Sequence, residues 1–182
     1  IGRILTALEK SDQADNNYVI LTSDHGLAVG SHGLMGKQNQ YDHSVRMPFI
    51  IRGPDLYGGK SIDNMIYMQS IYATVCELAG IEVPESVEYP SLVNLLEGEP
   101  EGGEAYIFGA YLDLQRMIRN HKYKLIVYPK VNEIQLFDLE NDPYEMNDLA
   151  ENKKFKSIKK DLFEAMKRKQ EELGDFLVLD KI

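Results

Sequence analysis

Residues 18–24 read YVILTSD, a continuous apolar run that turns polar at Thr22 and ends on Asp24. Unbroken apolarity over so few residues is the pattern of a strand covered on both faces, as in a parallel sheet. Just before it, IGRILTALEK (1–10) sets Ile1, Ile4, Leu5 and Leu8 on one helical face. SDQADNN (11–17) then supplies the turn. Helix, turn and buried strand together make an α/β unit. Ligand sites in such sheets gather beyond the carboxyl ends of the strands. Asp24 and His25 stand at that end.

Outward from this stretch, residues 26–44 are rich in Gly and polar residues without a clear period, and predict a long loop. VRMPFIIRGP follows and predicts a second strand over Met47–Ile51, stopped by Gly53 and Pro54. YMQSIYATVCELA (67–79) predicts an amphipathic helix with Gly80 as its C-terminal cap. EGEPEGGEA (97–105) reads as a linker. Beyond it, AYIFGAYL, QRMIRN, YKLIVYP and IQLFDLE are short strand candidates separated by turn residues, the pattern of an antiparallel meander. DPYEMNDLA is turn-rich. Residues 153–173 predict a charged amphipathic helix carrying Phe155, Ile158, Leu162, Phe163, Met166 and Leu173.

Composition limits the function classes. The net charge of −9 over 182 residues is spread along the chain, which argues against a nucleic-acid binder with its basic stripe. An anionic small substrate stays compatible, because a pocket can be locally basic on an acidic protein. The single cysteine, Cys76, allows no intrachain disulfide and no Cys-rich metal site. No apolar run is long enough to span a membrane. The chain opens on Ile1 and falls at once into a helical pattern, so it is expected to be part of a longer protein.

The chemistry concentrates in Thr22–Pro48, TSDHGLAVGSHGLMGKQNQYDHSVRMP, which holds three of the four histidines (His25, His32, His43) with Asp24, Lys37 and Arg46. Asp24 offers a hard carboxylate suited to Ca²⁺ or Mg²⁺. The imidazole of His25 leans toward zinc or manganese. The pair leaves the metal open, and an isolated Asp-His pair is more readily a helix cap or turn former beside a hydrogen-bonded loop histidine. Lys37 follows Gly33 and Gly36 and presents a compact charge suited to a sulfate or phosphate oxygen. Alternatively it is a solvated surface lysine. His32 is either a general acid toward an ester oxygen or a structural loop residue. His43 is a candidate for the outer pocket, and Arg46 is expected to pair with Asp42 on the surface.

Several motifs in register carry a resemblance. SDHG, GSHGLMGK and YDHSVRMPFIIRGP closely resemble the C-terminal catalytic block of the type I, formylglycine-dependent sulfatases of the alkaline phosphatase superfamily. IYATVCELAGIEVPE resembles the helix after that block. MIRNHKYKLIVYP followed by LFDLENDPYEMNDLA resembles the family's C-terminal unit. The resemblance spans nearly the whole chain.

It implies a fold and a reaction. The fold would be the C-terminal part of an alkaline-phosphatase-like α/β/α sandwich (residues 1–98), followed by a small antiparallel β-sheet unit with a C-terminal helix (residues 99–182). The reaction would be hydrolysis of sulfate esters, those of carbohydrates foremost. Alternatives are phosphonate or phosphate ester hydrolysis within the same superfamily, or a non-catalytic folding or interaction fragment. Residue by residue, Asp24 and His25 become ligands of a divalent metal, calcium by the family's habit. Lys37 becomes a catalytic and sulfate-binding residue, His32 a catalytic one and His43 a substrate-binding one. The family's nucleophile is a formylglycine made inside a C/S-x-P-x-R motif. No such motif occurs here, and Cys76 in TVCELAG reads as a packing residue. The fragment alone is therefore expected to be inactive, and to self-associate through uncovered strands. A periplasmic or secreted location is implied by resemblance only.

Overall fold

The computed structural model describes residues 1–56, 58–99 and 102–179. The described chain forms two compact units. One holds Ile1–Asp24, Met47–Asn64 and Met68–Gly103; the other holds His25–Arg46, Met65–Tyr67 and Glu104–Ile182. The linker segment 97–105 lies partly outside the described residues. Its first residue, Glu97, ends a helix rather than beginning a linker.

The first unit is built on a two-stranded ribbon. Helix α1 (Gly2–Glu9) leads through a 3₁₀ turn at Ala14–Asn16 into strand β1 (Val19–Thr22). β1 pairs antiparallel with β2 (Phe49–Arg52), with Ile20 opposite Ile51 and Leu21 opposite Ile50. This departs from the parallel, doubly covered strand that the apolar run predicts. Both strands are only partly covered, and Leu21 and Ile50 are 39% and 61% exposed. Apolar continuity encodes a demand for cover, whereas strand direction is set by the connection and the available neighbours, which periodicity does not carry. The apolar face of α1 is likewise open at Ile1 and Ile4.

Helix α3 (Ser70–Leu78) ends as its sequence predicts. Gly80 adopts φ 66°, Ile81 N–H donates to the Cys76 carbonyl, and Gly80 N–H donates to that of Glu77. This is the paired closure of a left-handed glycine cap. The buried Thr74 hydroxyl donates to the Ser70 carbonyl and accepts from Leu92 N–H at 2.9 Å. That bond ties α3 to the start of helix α4 (Val93–Glu97).

The second unit centres on a four-stranded antiparallel meander: β3 (Ile107–Tyr111), β4 (Gln115–Arg119), β5 (Tyr123–Tyr128) and β6 (Glu133–Asp138), in sequential order. All four predicted strands are present. The β4–β5 turn is closed by Asn120, whose side-chain oxygen accepts from the N–H groups of Lys122 and Tyr123. One face of the sheet presents Phe108, Ile118, Leu125, Val127 and Leu136 to helix α5 (Lys156–Glu172), which supplies Leu162, Phe163, Ala165 and Met166. Each such large side chain, fully buried, contributes about 1.5–3 kcal/mol. Helix α5 closes on Gly174 at φ 66°, and Asp175 N–H reaches back to Gln170. The opposite face, carrying Met117, Ile126 and Phe137, packs on Tyr41. The long loop containing the histidines lies on this second face, so the sheet is its platform.

Candidate active-site loop

Residues 25–46 are folded by short-range backbone bonds and by one close approach. Gly26 N–H donates to the Ser44 carbonyl at 3.0 Å. A Cβ on Gly26 would stand 2.0 Å from the His43 carbonyl oxygen, so only glycine fits where the two ends of the loop meet. Between them, Ala28 N–H bonds the Gly36 carbonyl and Gly30 N–H bonds that of Leu34. This inner loop forces Val29 (φ 45°) and His32 (φ 53°) into the left-handed region. That conformation is uncommon for any residue with a Cβ, and for a β-branched one such as Val29 it is a true outlier. Strain of this kind persists where surrounding contacts over-determine it.

The histidines fall into two groups. His32, in a 3₁₀ turn at Ser31–Gly33, stacks on the Tyr41 ring with centroids 4.0 Å apart and planes 8° from parallel. His43 lies on the one-turn helix α2 (Asp42–Val45), 5.7 Å from the Tyr41 ring and 5.4 Å from that of His32. Its Nε2 is buried with no hydrogen-bond partner among the described residues. Burial pushes the His43 imidazole below its ordinary value, and the charges of His32 and Lys124 add to this, with Asp42 opposing. His43 is therefore held toward its neutral form.

His25 and Lys37 form the second group. His25 Nδ1 lies 2.9 Å from the Gly26 carbonyl, which can only accept, so that nitrogen carries the proton. The Nε2 lone pair then faces the Lys37 ammonium, which donates to it. A metal-ligating histidine commonly has this tautomer, with one N–H on a backbone carbonyl and the other nitrogen left to coordinate. Asp24, one peptide bond earlier, belongs to the first unit. Among the described residues no cluster of three or more His, Cys, Asp or Glu side chains gathers at a metal-binding spacing.

Beneath the loop lies a charged group that spacing alone does not reveal. The Lys124 side chain is fully buried in β5. Its ammonium donates to Asp42 Oδ1 and to the Gln40 carbonyl at 3.2 Å, and it forms an ion pair with Glu145 Oε1 at 2.6 Å. Glu145 Oε2 accepts from Asp42 N–H at 2.6 Å, and Arg119 Nη1 reaches both Asp42 oxygens at 3.1 and 3.0 Å. Burial alone would raise the Asp42 carboxyl; Lys124 and Arg119 outweigh it and hold the group below its usual range. Arg46, expected to pair with Asp42 at the surface, lies 3.9 Å from it as a minor partner, and Asp42 itself is largely enclosed.

Residues 30–172 match the family described as N-sulphoglucosamine sulphohydrolase, C-terminal. The chain belongs to this sulfatase family. An N-acetylglucosamine-6-O-sulfatase of Bacteroides thetaiotaomicron is 31% identical to it, over 96% of this chain and 34% of the relative. A solved structure in complex with its substrate D-glucosamine-2-N,6-O-disulfate matches with a TM-score of 0.86 and 30% identity, over 96% of this chain and 38% of that one. A phosphonate monoester hydrolase of Agrobacterium radiobacter matches with a TM-score of 0.79 and 26% identity, over 94% and 38%. The fold is thus the α/β arrangement of alkaline-phosphatase-like sulfatases, and the chain spans about a third of the length of the curated relatives it matches.

Within this sulfatase chain, motif reading reached the histidines and Lys37 but missed Tyr41, Lys124 and Glu145. One signal was present. Lys124 occupies the same strand face as Ile126 and Tyr128 in YKLIVY, a lysine in phase with residues that need cover. Glu145 sits in the DPYEMNDL turn at φ 57°, a conformation that a merely solvated glutamate has no reason to hold.

Proposed function

We propose that these residues serve as the C-terminal portion of a sulfuric ester hydrolase acting on sulfated carbohydrates. In this reading residues 1–98 complete the catalytic domain and 99–182 form its small C-terminal unit. The observation that carries the reading is the His25 tautomer, which leaves Nε2 facing the loop's lysine within a chain of the sulfatase family. Asp24 and His25 would hold a divalent metal, calcium by the family pattern. When bound, that ion supplies Lewis-acid polarisation of the sulfate.

The chain's own side chains do the rest of what these residues contribute. Lys37 binds a sulfate oxygen and stabilises negative charge as the S–O bond breaks. His32, fixed by its stack on Tyr41, delivers a proton to the leaving oxygen. His43, held toward neutrality, lines the pocket as an uncharged hydrogen-bonding group. The formylglycine nucleophile expected of the family has no C/S-x-P-x-R motif in these 182 residues. A periplasmic or secreted location belongs to the same proposal. No helix among the described residues is long and apolar enough to cross a membrane.

The likeness to a phosphonate monoester hydrolase favours a second reading, phosphonate or phosphate ester hydrolysis. One assay separates them. The full-length protein is offered a chromogenic aryl sulfate and the matching aryl phosphonate, beside its Lys37→Ala variant and the 182-residue chain. The sulfatase reading expects preference for the sulfate, a loss of about 10²–10³-fold in Lys37→Ala, and an inactive fragment. Preference for the phosphonate selects the second reading. Turnover by the fragment, or a Lys37→Ala variant of full activity, would falsify the site assignment.

A further inference from the structure

The loop's chemistry rests on a ring, and the ring is gripped from below. The Lys124 ammonium donates to the Gln40 carbonyl and to Asp42, and forms an ion pair with Glu145 Oε1 at 2.6 Å. Gln40 and Asp42 flank Tyr41, the residue on which His32 stacks. Glu145 holds the same segment a second time, through Asp42 N–H. Arg119 closes the group, so two cations face two carboxylates with no excess charge.

Stability alone does not account for a buried ammonium here. Replacing a buried ion pair by apolar side chains of similar size is often neutral or favourable for stability. Such networks can instead define one arrangement among several, because their hydrogen bonds are directional and apolar contacts are not. The segment being defined is residues 39–43, which holds the stacked Tyr41 and the start of the helix that carries His43.

We propose that Lys124 is a positioning residue. Its buried ammonium, with Glu145, fixes Tyr41 and thereby the orientation of His32 for proton delivery and the placement of His43 beside it. This rests on the assignment of His32 as general acid in the proposed function. The test therefore includes a readout independent of catalysis.

Lys124→Met, Glu145→Gln and the charge-balanced pair of both changes are compared with His32→Ala. In the full-length protein, kcat and KM are measured separately on an aryl sulfate with a good leaving group and an alkyl sulfate with a poor one. Misplacing the acid lowers kcat on the poor leaving group by about a hundredfold, with little loss on the good one and KM nearly unchanged, as in His32→Ala. In the 182-residue chain, amide hydrogen exchange should quicken across residues 25–46 while β3–β6 and α5 keep their protection. If Lys124→Met does not fold, the balanced pair carries the same test. A leaving-group bias in His32→Ala without one in the Lys124 variants overturns the proposal and leaves the acid assignment standing. Absence of bias in His32→Ala removes that assignment. Exchange alone then decides: quickening confined to 25–46 sustains Lys124 as the residue that orders the loop, and unchanged or uniformly quickened exchange overturns it.

Discussion

The two units of this chain bury their apolar residues to different degrees. In the meander unit, Ile118, Leu125, Ile126, Leu136 and Met166 are all wholly enclosed, between α5 on one face and the histidine loop on the other. In the ribbon unit, the cross-strand pair Leu21 and Ile50 stands open, as do Ile1 and Ile4 on α1. A four-stranded sheet with a helix on it has what an independent core requires, and a two-stranded ribbon is marginal in water. The same split holds for charge. Among the described residues, every group with a resolved shift from its ordinary pKa lies in the meander unit. The unit that carries the loop histidines is thus the unit with tight packing and strong electrostatics.

The sharpest way to break this contrast is to cut equivalent side chains from the two units. Leu125→Ala empties a site with no exposure, and its expected cost is about 2–5 kcal/mol. Ile50→Ala acts on a residue 61% exposed, and its expected effect lies within about 0.5 kcal/mol. Urea unfolding followed by circular dichroism measures both. Equal costs would mean that the ribbon is as well packed as the sheet.

Acid should act on the meander unit next. Asp175 receives Arg116 Nε at 2.5 Å and Nη2 at 2.9 Å, and this ion pair draws its carboxyl from 3.8 down to about 2, against the opposing effect of burial. A carboxyl lowered in the folded state contributes stability that is complete above its unfolded value and is lost as pH falls through the folded one. The contribution, about 2 kcal/mol, is present above pH 3.8 and disappears toward pH 2. Asp175→Asn should therefore weaken the chain near neutrality and approach the unaltered protein in strong acid. A deficit that persists unchanged at pH 2 would place the effect in the stranded Arg116 guanidinium, whose side chain is 7% exposed, and not in carboxyl ionisation.

A smaller pH effect comes from His43. Its lowered value means that the unfolded chain binds the proton more readily, so stability declines as pH falls below 6.5. Burial is the main cause, followed by the charges of His32 and Lys124. His43→Gln should flatten the stability profile just below 6.5 and leave the steeper Asp175 region intact. A profile that keeps its slope there removes His43 as its source.

How much of this the sequence carried depends on distance along the chain. The meander was legible because its turns and alternation are local: Asn120 closes a hairpin within three residues of itself. The histidine loop was legible because its chemistry is crowded into one segment. The direction of β1 was not, since an apolar run states how much cover a strand needs and nothing about which way its neighbour runs. The Lys124 group was hidden for another reason. Its members lie 82 and 103 residues apart along the chain, and lysine ordinarily reads as surface. Only its phase with Ile126 and Tyr128 gave a hint.

The smallest expected change in stability concerns the open pair of the ribbon, and it carries the clearest consequence for assembly. Leu21 and Ile50 face each other across β1 and β2, so their exposed side chains form one apolar patch on a strand pair whose outer edges meet no further strand among the described residues. Such edges invite pairing with another chain, and a charge placed on them discourages it. The 182-residue chain is therefore expected to self-associate at high concentration. Ile50→Lys should shift it toward monomer while altering unfolding by no more than about 0.5 kcal/mol. Size-exclusion chromatography with light scattering reads the first quantity and urea unfolding the second. A chain already monomeric before the change would show that the ribbon's apolar pair is not an association surface.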